Sequence, residues 1–255
     1  MIIMDKLISS WQAEERQPFT GWDFSYLEGR MLEDQAPWSY TTRAAELMRL
    51  AGSAIDLDTG GGEVLLKLRP AWPARMAATE EYPPNFRLAS ERLNPLGVPV
   101  TSVRLTRTGL LPFADGEFEL VLNRHAGFNS REVARILPPG GTFLTQQVDG
   151  RWAEDLEAVF GARPQWPDAI LENTLRWVKD AGLEIVTARE FIGRLSFTDV
   201  GAIVYYLRAV PWLVPGFSMA SHLEGLLALQ ARHERGEGLS FRAGKFLIEA
   251  RKPIS

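Results

Sequence analysis

Short apolar stretches alternate with segments of helical spacing between about residues 54 and 187. Residues 54–57 form a short apolar run of the kind found in buried strands. Just before it, apolar side chains recur at the spacing of one helix face, and Gly52 stands where that helix would end; these side chains are Ala44, Leu47, Met48 and Ala51. Such alternation of strand and helix patterns predicts βαβ units around a parallel sheet.

The same reasoning assigns the remaining elements. The predicted strands lie at residues 54–57, 75–79, 100–105, 118–122, 142–148, around 185–186 and at 246–250. Helices are predicted at residues 63–68 and 84–93 and from about 171 to 182. Another predicted helix ends at residue 137. About fifty residues separate the last two strands, more than an ordinary loop contains, so two helices are expected there. Thr198 or Asp199 is expected to cap the first, and Met219, Leu223 and Leu226 indicate the second.

The chain has 255 residues, of which 45% are hydrophobic, which is enough for one large core with appendages. The pattern contains no internal repeat and no linker. The expectation is therefore a single domain over residues 1–255. It consists of an N-terminal helical cap at 1–40, a core at 41–190, a helical insertion at 191–244 and the last strand at 245–251.

Charge and composition narrow the function classes. A net charge of −4 provides no positive field for nucleic acid, so a nucleic-acid partner is disfavoured. The chain has no cysteine and 3 histidines without metal-site spacing, so no metal site is expected. The first residues lack the pattern of a signal peptide, and no apolar stretch is long enough to span a bilayer. A cytoplasmic protein without a membrane partner is the resulting expectation.

A glycine-rich segment follows the first predicted strand. It reads Asp56-Leu57-Asp58-Thr59-Gly60-Gly61-Gly62 and opens the next predicted helix. Glycines in that place let a ligand approach the backbone, although a tight turn without any ligand has the same composition. Glu80 comes twenty residues after Gly60, at the end of the second predicted strand. A carboxylate there accepts hydrogen bonds from ribose hydroxyls in nucleotide-binding α/β folds.

Further landmarks follow in order: residues 111–121, which begin Leu111-Pro112-Phe113, and residues 137–143, which contain Pro138-Pro139-Gly140-Gly141. With these landmarks the chain resembles class I S-adenosylmethionine-dependent methyltransferases, especially the bacterial methyltransferase type 11 group. The resemblance covers residues 40–150 and continues more weakly through 246–253. It implies a Rossmann-like three-layer sandwich whose sheet has seven mostly parallel strands and an antiparallel last strand.

The resemblance also implies S-adenosylmethionine as cofactor. Gly60 and Gly62 would pass beneath it, Glu80 would hold its ribose, Asn123 would lie near its methionine part and Tyr40 would approach from the N-terminal side. The full implied set is Tyr40, Asp56, Asp58, Gly60, Gly61, Gly62, Glu80 and Asn123. Two positions depart from the family pattern. Asp58 stands where the family has glycine, and Arg107 stands where an acidic residue often contacts adenine.

Methyl transfer is an in-line displacement in which positioning supplies much of the rate. A general base helps when the acceptor is a hydroxyl or an amine, and His125 at the predicted mouth of the sheet is the catalytic candidate. A local packing role for His125 stays open, as does a substrate-binding or structural role for Arg124. A small organic acceptor is expected. The alternatives are an RNA methyltransferase, a cofactor-binding protein without activity and a nicotinamide-dependent oxidoreductase.

Overall fold

A computed structural model describes residues 2–19 and 23–254. Within these residues the helices are α1 (Ile2–Glu15), α2 (Tyr40–Leu50), α3 (Glu63–Lys67), α4 (Pro83–Leu93), α5 (Ser130–Ile136), α6 (Glu154–Val159), α7 (Leu171–Asp180), α8 (Val200–Ala209) and α9 (Leu223–Glu234). The strands are β1 (Met31–Glu33), β2 (Ser53–Leu57), β3 (Arg75–Thr79), β4 (Val100–Thr101), β5 (Leu120–Arg124), β6 (Thr142–Val148), β7 (Glu184–Phe197) and β8 (Leu239–Arg251).

The chain divides into two compact units. The first unit comprises Met1–Ala36, Asp149–Ala169 and Ile192–Gly244, and the second comprises Pro37–Val148, Ile170–Phe191 and Lys245–Ser255. Strands β7 and β8 each contribute residues to both units. The expected single domain with a cap and an insertion stays a prediction.

The second unit contains a sheet with the strand order β7-β8-β6-β5-β2-β3-β4. Strand β2 pairs in parallel with β3 on one side and with β5 on the other, and β6 extends the parallel part beyond β5. The last strand, β8, runs antiparallel to β6, with Thr142 opposite Arg251. The predicted Rossmann-like fold with an antiparallel last strand is therefore confirmed.

Helices cover both faces of this sheet because its central strands are apolar on both faces. On one face, Ala54, Leu120 and Leu144 pack with side chains from α2, α3 and α4. On the other face, Val121 and Phe143 pack with side chains from α5 and α7. Successive residues of a strand point to opposite faces, so the same strands supply both cores. This gives the three layers of the predicted sandwich.

The first unit has its own core, which is built around α8. Every residue of α8 except Arg208 is buried. Asp199 caps the helix, as predicted, by accepting a hydrogen bond from the Ala202 N–H at 2.9 Å, and it also binds Arg30 in a two-pronged ion pair. Trp11 of α1 is buried in the same cluster. Phe19 and Phe24 of the predicted cap pack against the same cluster. Tyr40 of the predicted cap instead belongs to the core of the second unit, and Trp22 lies outside the described residues.

Three sequence expectations are corrected. The sheet strands number eight in the described chain rather than seven, because β1 in the predicted helical cap pairs antiparallel with residues 195–197 of β7. The insertion at 191–244 is not purely helical, since β7 reaches Phe197 and β8 begins at Leu239. The strand predicted at 100–105 ends at Thr101, although Val103 and Leu105 still pack against the core. Their apolar spacing reflects burial without strand pairing.

The central strands allow a direct test of the fold. Phe143 of β6 is fully buried, whereas Leu50 at the end of α2 is 82% exposed. We expect Phe143→Ala to lower the free energy of unfolding by about 3–5 kcal/mol, since it removes apolar contacts and leaves a cavity. The control Leu50→Ala should change it by about 0.5 kcal/mol or less. Urea denaturation followed by fluorescence measures both, and equal losses in the two variants would contradict the core assignment.

Candidate active site at the carboxyl end of β2

The strand order reverses at β2 in the second unit. Chain segments leave β2 towards β3 on one side, and β5 lies on the other. In open α/β sheets, ligands bind outside the carboxyl ends of the strands at such a reversal. The loop at residues 58–62 begins directly after Leu57, the last residue of β2. The topology therefore brings the glycine-rich segment to the position where this fold class binds ligands.

Left-handed backbone conformations shape this loop. The φ angles are 62° at Asp58, 64° at Gly60 and 82° at Gly62. A Cβ atom added at Gly62 would also press on the Leu93 side chain of α4 at a distance of 3.2 Å, whereas a Cβ atom at Gly60 would meet no atom within 4 Å. The buried Gly61 lies between them. The loop thus packs against the protein at Gly62 and leaves open space at Gly60, as a ligand cradle requires.

Strand β3 holds the loop in place. The side-chain oxygen of Thr79 accepts a hydrogen bond from the Asp58 N–H at 3.0 Å, and its carbonyl accepts one from the Thr59 N–H at 2.8 Å. Thr79 is the last residue of β3 and is fully buried. No sequence motif pointed to this residue, because its role depends on two loops that meet only in the folded sheet.

Glu80 follows β3 and is buried with 3% exposure. Its Oε2 atom accepts a hydrogen bond from the Gly60 N–H at 2.7 Å, and its Oε1 atom accepts one from the Tyr82 N–H at 2.8 Å. The two residues singled out as the loop and its acidic partner are therefore in direct contact. Burial raises the pKa of Glu80 to about 7, and the nearby charge of Asp58 adds to this rise.

Two more carboxyl groups lie in the segment that leads into the loop, and Asp58 interacts with both Glu80 and Asp56. Burial raises the pKa of Asp56 to about 6, and the charge of Asp58 raises it further, while the neighbouring Thr59 side chain and the charge of Arg124 act against the rise. Burial also raises the pKa of Asp58, which shares a hydrogen bond with the Glu80 side chain. Because these three acids are harder to ionise than usual, a positively charged ligand would be bound favourably by stabilising their carboxylate forms.

Tyr40, the first residue of α2, has 5% exposure, and its hydroxyl finds no hydrogen-bond partner among the described residues. Burial, followed by the charge of Asp56, raises its pKa, whereas Arg124 and the main chain of Asn123 act in the opposite direction. The hydroxyl is therefore oriented among the predicted site residues. A buried polar atom without a partner is costly, so this hydroxyl is a candidate donor to a bound molecule.

Asn123 lies in β5 and is fully buried. Its side-chain amide donates to the Leu57 carbonyl at 3.3 Å, and its oxygen accepts from the Thr145 hydroxyl at 3.0 Å and from the Gln147 amide at 2.6 Å. The oxygen is thus already satisfied, and one amide hydrogen joins β5 to the end of β2. The contact between Asn123 and the methionine part of the cofactor stays a prediction. The remaining amide hydrogen of Asn123 would have to make it.

His125 comes directly after β5 and has a left-handed backbone with φ of 60°. Its Nε2 atom lies 3.0 Å from the Gln146 side-chain nitrogen, while the Gln146 oxygen accepts from the Trp38 indole at 2.9 Å. Because Trp38 fixes the orientation of the Gln146 amide, the histidine Nε2 must be the acceptor and Nδ1 must carry the proton. The lone pair that a general base needs is therefore engaged.

The residue His125 has an exposed surface, yet desolvation of its ring by surrounding protein atoms lowers its pKa, and the positive charges of Arg124 and Lys245 lower it further. A neutral imidazole with reduced basicity and an engaged lone pair is suited to hydrogen bonding more than to proton removal. The catalytic role of His125 stays a prediction. Gln146 and Gln147 were missed, although two consecutive glutamines at the end of a central strand are a usable signal.

The guanidinium of Arg107 stacks over the ring of Trp177 on α7, at 4.5 Å from the ring centre. This contact accounts for an arginine at the position where the resembled family often carries an acid.

Among residues 2–19 and 23–254, no group of three or more acidic or histidine side chains is arranged to hold a metal ion. In the same described residues, every helix is too short or too polar to cross a bilayer.

Comparison with solved structures shows which fold this is. The chain matches BH2331 of Bacillus halodurans, a candidate methyltransferase, with a TM-score of 0.58 and 18% identity over 84% of this chain and 98% of that one. It matches a Deinococcus radiodurans protein of unknown function with a TM-score of 0.59 and 14% identity over 99% and 100% of the two chains. It has the class I S-adenosylmethionine-dependent methyltransferase fold.

A third similar structure is the [4+2]-cyclase SpnF, with a TM-score of 0.51 and 17% identity over 89% of this chain and 87% of that one. Proteins with this fold are therefore named for different reactions, so the fold alone does not define the chemistry. No protein-family model matches the chain, and no curated protein sequence matches it.

The raised pKa of Glu80 predicts a pH-dependent stability. An unfolded glutamate ionises near pH 4.5, whereas folded Glu80 keeps its proton until about pH 7. The carboxyl therefore costs stability as the pH rises from 4.5 to 7, and the cost is constant above that range. We expect the free energy of unfolding of Glu80→Gln, measured relative to that of the original protein, to increase by roughly 1–3 kcal/mol as the pH rises from 4.5 to 7.

Urea denaturation at pH 5, 6, 7 and 8 measures this change. Comparing the slope with pH removes the constant effect of exchanging an acid for an amide. Glu81→Gln makes the same chemical change at the exposed neighbour. A Glu80→Gln slope no larger than the Glu81→Gln slope would contradict the stated burial effect.

Proposed function

We propose that this chain is a methyltransferase that uses S-adenosylmethionine and acts on a small organic acceptor. The observation that carries the proposal is the hydrogen bond between the Gly60 N–H and the buried carboxyl of Glu80, at the strand reversal of a methyltransferase fold. It joins a loop with open space at Gly60 to the acid that faces ribose in nucleotide-binding folds of this type.

The residues at the site fit this cofactor in three respects. Glu80 offers carboxylate oxygens to a ribose diol, Tyr40 offers an unpaired buried hydroxyl, and the acids Asp56 and Asp58 favour positive charge. S-adenosylmethionine has a ribose, an ammonium group and a positively charged sulfur. When bound, it would supply the methyl group that is transferred to the acceptor.

The other residues of the site support positioning more than proton chemistry. Asn123 ties β5 to β2, and the chain of contacts from Trp38 through Gln146 orients His125. Fixed polar groups at the ends of β5 and β6 can hold an acceptor in line with a methyl donor, which is a large part of catalysis for this reaction. Arg124 and Lys245 bring positive charge near His125, which favours an acceptor with an acidic group.

Ligand binding separates this proposal from its alternatives. Isothermal calorimetry with S-adenosylmethionine, S-adenosylhomocysteine and NAD should give binding of the first two and none of NAD. At about 100 times its dissociation constant, a bound ligand adds roughly 2.7 kcal/mol of stability, so the melting temperature should also rise. NAD binding would favour an oxidoreductase. Binding without methyl transfer to any acceptor in a panel of small acids, amines and RNA would favour a non-methylating protein.

Glu80 gives the sharpest variant for this test. We expect Glu80→Ala to weaken binding of S-adenosylhomocysteine by roughly tenfold or more, because hydrogen bonds to a carboxylate are worth about 1.5–3 kcal/mol. Glu80→Gln should fall between, since it keeps the shape without the charge.

The matched control is Glu81→Ala, which removes an exposed carboxyl paired with Arg104 at 3.7 Å. Its affinity should stay within about twofold of the original protein. Calorimetry on protein shown to be folded by circular dichroism compares the three variants. Equal affinities for Glu80→Ala and the original protein would remove the basis for the ribose contact.

A further inference from the structure

The parallel register of β2 and β3 places Asp58 beside Glu80. Asp56 lies opposite Ala78 in this pair, so two residues further along each chain the positions are 58 and 80. The Asp58 N–H bond to Thr79 continues this alignment past the end of the strand. Two carboxyl groups from different strands therefore share one corner of the site, with Asp56 just before them.

Asp58 has a backbone conformation that glycine adopts more easily. Its φ of 62° lies in the left-handed region, where glycine is relaxed and a residue with a Cβ atom is strained. The simplest loop would have glycine at this position, and the resembled family has it. The protein supplies Asp58 with hydrogen bonds from the Glu80 side chain and the Glu81 main chain but with no cation. A strained acid held in this way at a ligand site points to an interaction with a positively charged ligand.

Positive charge from the protein is scarce around this pair. Arg124 acts on Asp56, whereas no cation among the described residues contributes to the shifted pKa values of Asp58 or Glu80. Two nearby arginines are paired with other groups. Arg92 binds the Glu63 carboxylate and the Gly61 carbonyl, and Arg104 lies 3.7 Å from Glu81. Within the described part of the chain, the corner is thus acidic and lacks a counter-ion of its own.

Methyl transfer changes the charge of the ligand that this corner would face. An electron pair of the acceptor forms the new bond to the methyl carbon, and the electrons of the broken carbon–sulfur bond stay on sulfur. The positive sulfonium becomes a neutral thioether, while the positive charge passes to the acceptor, which releases a proton if the methylated atom carried one. A fixed negative charge in a partly buried site separates two ligands that differ by one positive charge.

We propose that Asp58, acting with Glu80, makes the cofactor site select by charge, so that it holds the sulfonium donor more tightly than the thioether product. This rests on the proposed function. The acid that replaces a loop glycine is then a specificity residue that favours release of the product after each turnover.

The ratio of two dissociation constants tests the idea. S-adenosylmethionine and S-adenosylhomocysteine share the adenosine and the amino acid part, so the ratio reports the methyl group and the charge on sulfur. The change of the ratio between the original protein and the Asp58 variants then isolates the effect of the charge. Isothermal calorimetry should show the donor bound more tightly by the original protein. We expect Asp58→Asn, which keeps the shape, and Asp58→Gly, which also relieves the backbone, to reduce this preference by about tenfold. Glu81→Gln is the control for removing a neighbouring exposed charge.

The preference of the original protein should also grow between pH 6 and pH 8. Glu80 loses its proton over this interval, since its pKa is raised to about 7, and the corner becomes more negative. In Asp58→Asn the growth should be smaller, because one of the two interacting carboxyls is gone. The sulfonium charge lowers the pKa of the amino group of S-adenosylmethionine, which the thioether of S-adenosylhomocysteine does not do. This difference belongs to the ligands, so comparing the original protein with Asp58→Asn at each pH removes it.

The outcomes separate this inference from the proposed function. An original protein that binds neither ligand rejects both. Charge selection is rejected if the original protein binds the two ligands equally. It is also rejected if the folded Asp58 variants keep the preference of the original protein or bind neither ligand. Each of these results leaves the methyltransferase proposal standing. A preference that falls in both Asp58 variants and persists in Glu81→Gln supports it.

Discussion

The hydrogen bond from the Gly60 N–H to the Glu80 carboxyl joins the loop after β2 to the chain after β3. Thr79 adds two more contacts to the same loop, and the second carboxylate oxygen of Glu80 holds the Tyr82 N–H at the start of α4. One buried side chain therefore organises the loop, the strand end and the helix start that border the site. The rest of the site is arranged around this corner.

Stability and binding make opposite demands on this corner. Burial raises the pKa values of Asp56 and Glu80, to about 6 and about 7, so ionising them near neutral pH costs the folded protein stability. A core residue under that demand would be replaced by an apolar one. Groups that destabilise the free protein in this way are characteristic of places where a ligand supplies the missing interaction.

The carboxyl ends of β5 and β6 have a different character. Here Asn123, Thr145 and Gln147 satisfy one another, and Trp38, Gln146 and His125 form a second connected group. Satisfied networks of this kind hold side chains in one arrangement. Among the described residues, the site thus combines an acidic corner with a wall whose polar groups are already paired and near which Arg124 and Lys245 bring positive charge. The acidic corner suits charge recognition, and the wall suits orientation.

The sequence by itself determined the layered α/β fold, the alternation of strands and helices along the core, and the pairing of the glycine loop with Glu80. These features rest on local signals: apolar periodicity, glycine at left-handed positions and a carboxylate at a strand end. Only the tertiary structure decided that the lone pair of His125 is engaged by Gln146, that Thr79 holds the loop, and that β7 and β8 extend into the expected helical insertion. Each depends on partners far apart in the chain, and neither spacing nor composition specifies which distant groups meet.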